Sequence, residues 1–239
     1  MALPTPSPAI VDTPALEIQP LNPLCSAFNG VPVDGVEDML SNPYNPPPMG
    51  SDGPHQGVDL ADIDPQRVAR SGRQVSALLS GRVAAVIRDR FPYGNALLVE
   101  TTLASLPEEW VGQLELPLPG LPRQGNPVLT CPALDVEPDW DEESQSLYLL
   151  YAHLEQAPEL QTGDTVTCGG VIGTIGSSGN ALNPHLHLET RVGPEGASFA
   201  SMAHYDASAS LDEMAAYCAW RVGGRFQHFD PMRLFVAYP

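Results

Sequence analysis

With 26 prolines and 21 glycines among 239 residues, about one residue in five of this chain interrupts a helix. Proline lacks the amide a helix interior needs, and glycine pays the largest backbone entropy to enter one. Long helices are therefore a poor use of this sequence, and short strands joined by turns are a good one. Strand-like patterns recur where punctuation frames them. Residues 75–100 alternate in places and carry turn signals at Ser80-Gly81 and at Pro92 to Asn95, which predicts two or three antiparallel strands. Residues 147–154, LYLLYAHL, return to a strand pattern, and HLHLE at 185–189 is a short alternating strand. In GDTVTCGGVIGTIG, glycines bound short apolar pairs, which reads as a tight hairpin. The expected class is mainly β.

Three stretches depart from this pattern. Residues 1–50 are proline-rich and aperiodic, and predict an extended N-terminal arm around a core domain at 51–239. Residues 101–146 hold many prolines and the acidic run EPDWDEE, and predict a surface insertion. Residues 195–225 predict a second insertion with one helix over about 210–220.

The formal net charge is -18, and all eleven basic residues are arginines. Such a surface repels phosphate backbones and anionic lipid, which argues against nucleic-acid or membrane-surface partners. No window of about 18 apolar residues occurs, so no membrane span is expected. The opening MALPTPSPAIVDTP lacks the basic and apolar regions of a signal peptide, so an exported form would have shed its leader already. A monomer is expected. The cysteines Cys25, Cys131, Cys168 and Cys218 form no CxxC pair, which disfavours a structural metal knuckle. Their even number suits two disulfides in an oxidising compartment, with four reduced thiols as the other reading. Of the three connectivities, which the sequence leaves open, Cys131–Cys168 with Cys25–Cys218 is favoured, because Cys131 ends an insertion that must return near the segment carrying Cys168.

Histidines are few, and three of the six lie in compact motifs: His55-Gln-Gly-Val-Asp59 and His185-Leu-His187. Imidazole and carboxylate both bind zinc, at about 2 Å. Four residues of straight strand span about 13 Å. His55 and Asp59 can share one ion only if the chain bends between them, and Gly57 allows that bend. His185 and His187 alternate, so in a strand they share a face about 7 Å apart. One can hold a metal while the other stands beside its open position. His204 and His228 sit in no such pattern and read as surface or core residues. Tyr151 reads as a core tyrosine and Asn183 as a turn residue before Pro184.

These motifs occur in an order that resembles the LytM/lysostaphin-type zinc metallopeptidases. The series is HQGVD (55–59), Gly81 to Val83 with the turn Tyr93-Gly94-Asn95, YAHL (151–154), the glycine-rich run 163–179 and PHLHLE (184–189). It covers roughly 51–100 and 147–191, plus the closing FDP. The resemblance implies an antiparallel β core and zinc held by His55, Asp59 and His187. It implies His153 and His185 as catalytic histidines, and peptide hydrolysis in cell-wall peptidoglycan outside the cell or in its envelope. Three protein ligands leave a fourth position for water, and no HExxH helix supplies a glutamate base. A histidine can take the proton or hold the developing oxyanion, and the sequence leaves open which does which. The other reading is a catalytically silent module of this fold that regulates another cell-wall hydrolase. A lipoyl- or biotin-carrier domain, suggested by GDTVTCGGVIG, would need a lysine that this chain lacks. The insertions are expected to wall the substrate groove. Both 101–146 and the segment GNALNPHLH are longer than the family's usual form.

Overall fold

The computed structural model describes residues 23–46, 51–118, 130–132 and 141–237. Its centre is an antiparallel sheet of eight strands. β1 is Leu40–Asn42, β2 Val58–Leu60, β4 Gly81–Arg90, β5 Gly94–Thr102, β6 Asp141–Leu154, β7 Thr165–Val166, β9 Leu186–Glu195 and β10 Gln227–Phe229. The order across the sheet is β1-β2-β9-β6-β5-β4-β7, with β10 pairing the second half of β9. A small sheet pairs β3, Gln74–Ser76, with β8, Val171–Thr174. The mainly β expectation holds.

The central strands are apolar on both sides because both faces are covered. Along β6, Leu147, Leu149 and Tyr151 enter one cluster while Tyr148, Leu150 and Ala152 enter another. Period-two alternation sends neighbours to opposite faces, so a strand buried twice reads as a continuous apolar run. The first face is covered by the arm residues Leu24, Phe28 and Val36, by the small sheet, and by Trp110 and Leu114. Trp110 lies on the short helix α1, Glu108–Gln113. Trp110 and Leu114 of the 101–146 stretch thus pack into the core, while the rest of 102–118 is exposed or half-buried. The second face is covered by Phe199, Met202, Phe226 and α2, Leu211–Arg221. Ser210 and Glu213 start α2 with a reciprocal capping box, in which each side chain bonds the other's backbone amide. Such a cap contributes about 1 kcal/mol. Arg90 then pins Glu213 to β4 at 2.8 Å. A last short helix, α3, spans Arg233–Val236.

Two expectations are corrected. The run 163–176 is not a hairpin: β7 pairs β4 in the large sheet, while β8 pairs β3 in the small one. The chain crosses between sheets at a turn where the Gly170 amide bonds the Thr167 carbonyl. The disulfides are Cys25–Cys168 and Cys131–Cys218, not the pairs expected. Cys25 and Cys168 meet at residues 77–80: the Cys25 amide bonds Leu78 O, and the Cys168 amide bonds Ser80 Oγ. Cys218 lies on α2, on the opposite face, out of the arm's reach. The end of the first insertion runs to that helix instead, and His204 Nε2 donates to Thr130 O at 2.9 Å beside Cys131. The arm's residues 1–22 and 47–50, and the acidic residues Asp135, Glu137 and Asp139, lie outside the described residues.

Candidate metal centre

Asp59 on β2 and His187 on β9 are direct cross-strand partners. Side chains so paired start about 5 Å apart at Cβ. His55 precedes β2, and its backbone bridges to Asn45 of the arm. The chain does bend between His55 and Asp59, and Gly57 is needed for closeness. A Cβ there would stand 2.4 Å from Leu188 O and 3.0 Å from His187 Cε1. The result is a compact triangle. His55 Nε2 is 3.1 Å from Asp59 Oδ1 and 3.2 Å from His187 Nδ1, and His187 Nδ1 is 2.9 Å from Asp59 Oδ1.

Hydrogen-bond partners fix which atoms in this triangle carry lone pairs. His55 Nδ1 lies 3.0 Å from Pro43 O, a carbonyl that can only accept. The proton of a neutral His55 is therefore on Nδ1, and Nε2 is bare. His187 Nε2 faces Glu189 Oε1 at 3.1 Å, so a neutral His187 donates there and leaves Nδ1 bare. Asn42 donates to the outer oxygen of Asp59, Oδ2, at 2.9 Å, which turns Oδ1 inward. With both imidazoles neutral, three acceptors thus face one another, an arrangement that suits a cation. Tetrahedral zinc with bonds of 2.0–2.1 Å separates its ligands by about 3.3 Å, close to the edges observed. The two nitrogens and one carboxylate oxygen fit zinc.

The electrostatics agree. Burial raises the Asp59 carboxyl, but the adjacent His187 and His55 imidazoles outweigh it and hold the group far below the usual carboxylate range. Burial lowers His187, yet its bonds to Asp59 and Glu189 push it up to about 8. Positive charge is thus favoured at the triangle, whether a proton or a bound cation carries it.

His153 and His185 flank the triangle. The ring centroids of His153 lie 4.8 Å from those of His185 and 5.7 Å from those of His187. His153 sits where the β5–β6 register shifts, with φ at 62°. A bulge re-aims a side chain, and left-handed backbone in a histidine is strain of the kind found at functional sites. His153 Nδ1 donates to Ser178 O at 2.8 Å, and His185 Nδ1 to Asn183 O at 2.7 Å. Both rings consequently present Nε2, and that of His185 lies 3.5 Å from Asp59 Oδ1. Burial, then the neighbouring His187 and His185, lower His153 to about 3.

The structure brings together all five residues expected from the sequence. His204 and His228 lie apart. His204 bonds Thr130 O, and burial lowers His228, which contacts the Tyr44 hydroxyl, to about 4. Tyr151 is buried, and its hydroxyl accepts from the Leu78 amide.

Sequence reasoning missed the layer behind the triangle. Glu189, fully buried, accepts at Oε1 from Tyr93 at 3.0 Å and Arg221 at 2.6 Å as well as from His187. At Oε2 it accepts from Arg191 and Trp220, each at 2.9 Å. Burial raises this carboxyl, but Arg221 and Arg191 outweigh it and hold it well below the usual range. The only signal in the sequence was the place of Glu189 two residues after His187, on the same face of the strand.

The triangle opens into a cleft of about 210 Å³ lined by His153, His185, Tyr93, Asn180, Tyr217 and Arg221. Asp59 and His185 also border a second cleft of about 640 Å³, with Ile63, Val68 and Leu182 on its walls. Tyr217 and Arg221 come from the second insertion. None of the described residues of the first insertion lines either cleft.

Three inward lone pairs beside two imidazoles, bordered by two clefts, suit metal-assisted hydrolysis. Residues 141–199 match the model of peptidase family M23. That segment carries His153, His185 and His187, and the match supports the family resemblance read from the motifs. No curated protein matches the chain in sequence. Among solved structures, the chain is 17% identical to a candidate M23 peptidase from Pseudomonas aeruginosa, over 90% of this chain and 55% of that one, with a TM-score of 0.38. It is 20% identical to the catalytic domain of the antimicrobial peptidase lysostaphin from Staphylococcus simulans, over 66% and 83%, with a TM-score of 0.38. A zinc-containing peptidase from Vibrio cholerae is 22% identical, over 69% and 36%, with a TM-score of 0.36. The chain thus spans about half the length of the first of these.

Proposed function

We propose that the chain is a zinc metalloendopeptidase that hydrolyses peptide bonds of bacterial cell-wall peptidoglycan. The carrying observation is the triangle of bare His55 Nε2, Asp59 Oδ1 and His187 Nδ1, with edges of 2.9–3.2 Å, beside the Nε2 atoms of His153 and His185. Bound there, zinc supplies Lewis acidity to the scissile carbonyl and makes water a nucleophile near neutral pH. The rest is done by side chains. His55, Asp59 and His187 hold the ion from one side and leave the cleft side open. His153 and His185, each with Nδ1–H committed to a carbonyl, offer Nε2 to the reacting atoms. One takes the proton of the attacking water, and the other steadies the developing oxyanion or delivers a proton to the leaving amine. Two clefts share Asp59 and His185 at their border, room beside the centre that supports the binding of a peptide extending beyond the cut bond. The M23 match supports a peptidase. Two disulfides suit an oxidising compartment outside the cytoplasm.

The test is incubation of the purified, zinc-loaded protein with defined peptidoglycan fragments, read by mass spectrometry. The expected result is a pair of products whose masses sum to substrate plus water, lost in His185→Ala. Intact fragments in the presence of protein that holds one zinc would overturn the enzyme reading in favour of a silent binding module.

A further inference from the structure

We propose that Arg221, at the end of α2, is a positioning residue of the metal centre: it bridges the two chain segments that carry the ligands. The inference rests on the metal-centre reading above. One of those segments is the loop 51–57, which carries His55, and the other is β9, which carries His187. Arg221 Nη1 donates to Glu189 Oε1 at 2.6 Å, and Glu189 holds His187. Its Nε donates to Asp52 Oδ1 at 2.6 Å, and its Nη2 to Asp52 O at 2.6 Å. Asp52 stands three residues before His55. A single planar guanidinium therefore grips the His55 loop by side chain and backbone, and the His187 strand through the carboxylate behind the imidazole.

The surroundings make this grip rigid. The Asp52 carboxylate also accepts from the hydroxyls of Tyr205 and Tyr217, both at 2.8 Å. On the other side of the loop, Arg191 donates to Gln56 Oε1, next to His55, and to Glu189. Glu189 is thereby the common anchor of two arginines, each of which also holds one flank of His55. The guanidinium fork suits this task and an ammonium does not, since two carboxylates must be held at fixed angles. Partners of this kind, bound to a ligating histidine, commonly govern metal affinity by 10–100-fold. The second insertion is on this account part of the metal-binding apparatus as well as a wall of the cleft.

The test compares zinc affinity, by competition with a chromophoric chelator, and the visible spectrum of the cobalt(II)-substituted protein. Arg221→Met should weaken zinc binding by about 10–100-fold and alter the cobalt spectrum. Arg221→Lys should recover little of the loss. Asp52→Ala, which removes the side-chain part of the loop grip and leaves the backbone contact, should fall between and serves if the arginine variants fail to fold. Arg90→Met removes the anchor at the other end of α2 without touching the bridge. It should lower stability and leave zinc affinity and spectrum as in the parent. Parent-like affinity and spectrum in folded Arg221→Met or Asp52→Ala would overturn the proposal. An Arg90→Met protein with the same loss as Arg221→Met would overturn it too, by showing that any loosening of α2 suffices. A parent protein that binds no zinc at all would instead refute the metal centre itself.

Discussion

Gly94→Ala should damage catalysis while sparing the metal. Gly94 has φ at 68°, and a Cβ there would stand 2.3 Å from the Ser178 carbonyl carbon and 2.4 Å from Ser178 Oγ. Carbon atoms prefer about 3.5 Å, so the overlap is about 1.2 Å, against backbone that cannot rotate away. A left-handed alanine costs about 1–2 kcal/mol, and an overpacked contact about 1–3 more. The expected loss of stability is about 2–5 kcal/mol in all. The displaced residue matters more. Ser178 O holds His153 Nδ1 at 2.8 Å, and Ser178 Oγ donates to Leu154 O and accepts from the Asn95 amide. A shift of about 1 Å breaks the first of these bonds and frees the His153 ring. A misplacement of that size costs about 100-fold in rate. The ligands sit on other segments, so zinc content should hold. Gly163→Ala is the control: φ is 97° there and nothing lies within 4 Å of the added atom, so it carries the backbone strain without the collision. The assays are urea denaturation, elemental zinc and peptide hydrolysis. Parent-like kcat in folded Gly94→Ala, or a loss of rate that follows zinc content alone, would refute the reasoning.

Other outcomes follow from the same geometry. His55→Ala, Asp59→Ala and His187→Ala should lose zinc, while His153→Ala and His185→Ala should keep it and lose roughly 100-fold or more in rate. Elemental analysis decides, and zinc loss in either of the last two would reverse the assignment. Glu189 and Asp52 are held below their ordinary values, Asp52 by Arg221 and the two tyrosines against the effect of burial. The unfolded chain takes up these protons near pH 4 and the folded one only lower. Their stabilisation is complete above about pH 4–5 and is lost as pH falls; urea midpoints that stay flat from pH 6 to pH 3 would contradict this. Replacing Cys131 and Cys218 together by serine opens a cross-link of sequence separation 87 and should cost about 2–5 kcal/mol in guanidinium unfolding. An unmoved midpoint would deny that bridge a part in stability.

The meeting of the five candidate residues was legible in the sequence: four lie in two motifs whose spacing carries its own geometry, and His153 lies in YAHL, which the family resemblance singles out. His55 and Asp59 need a bend, and Gly57 lets that bend lie close against Leu188 and His187. His185 and His187 need only the pleat of a strand. What escaped depends on contacts between distant segments. Glu189 stood in plain view, yet its meaning comes from Arg221, a residue on a helix 32 positions away. The disulfide pairing was misread for the same reason: nothing local in Cys25 or Cys131 says which face of the sheet its segment will reach. The glycine-framed run at 163–176 looks the same whether its two short strands pair with each other or with β4 and β3. Nothing in the prolines and acids of 101–146 marks the short helix that sets Trp110 and Leu114 into the core.

The two disulfides interlock along the chain: 25 to 168 encloses 131, and 131 to 218 encloses 168. A single backbone cut anywhere between Cys25 and Cys218 therefore severs nothing. A nick before 131 leaves its two pieces tied by the first bridge, one after 168 by the second, and one between by both. A molecule exposed to peptidases would run as one species on a non-reducing gel after its first cut and fall into fragments only when reduced. Wear of this kind would be borne by the chain without loss of its parts.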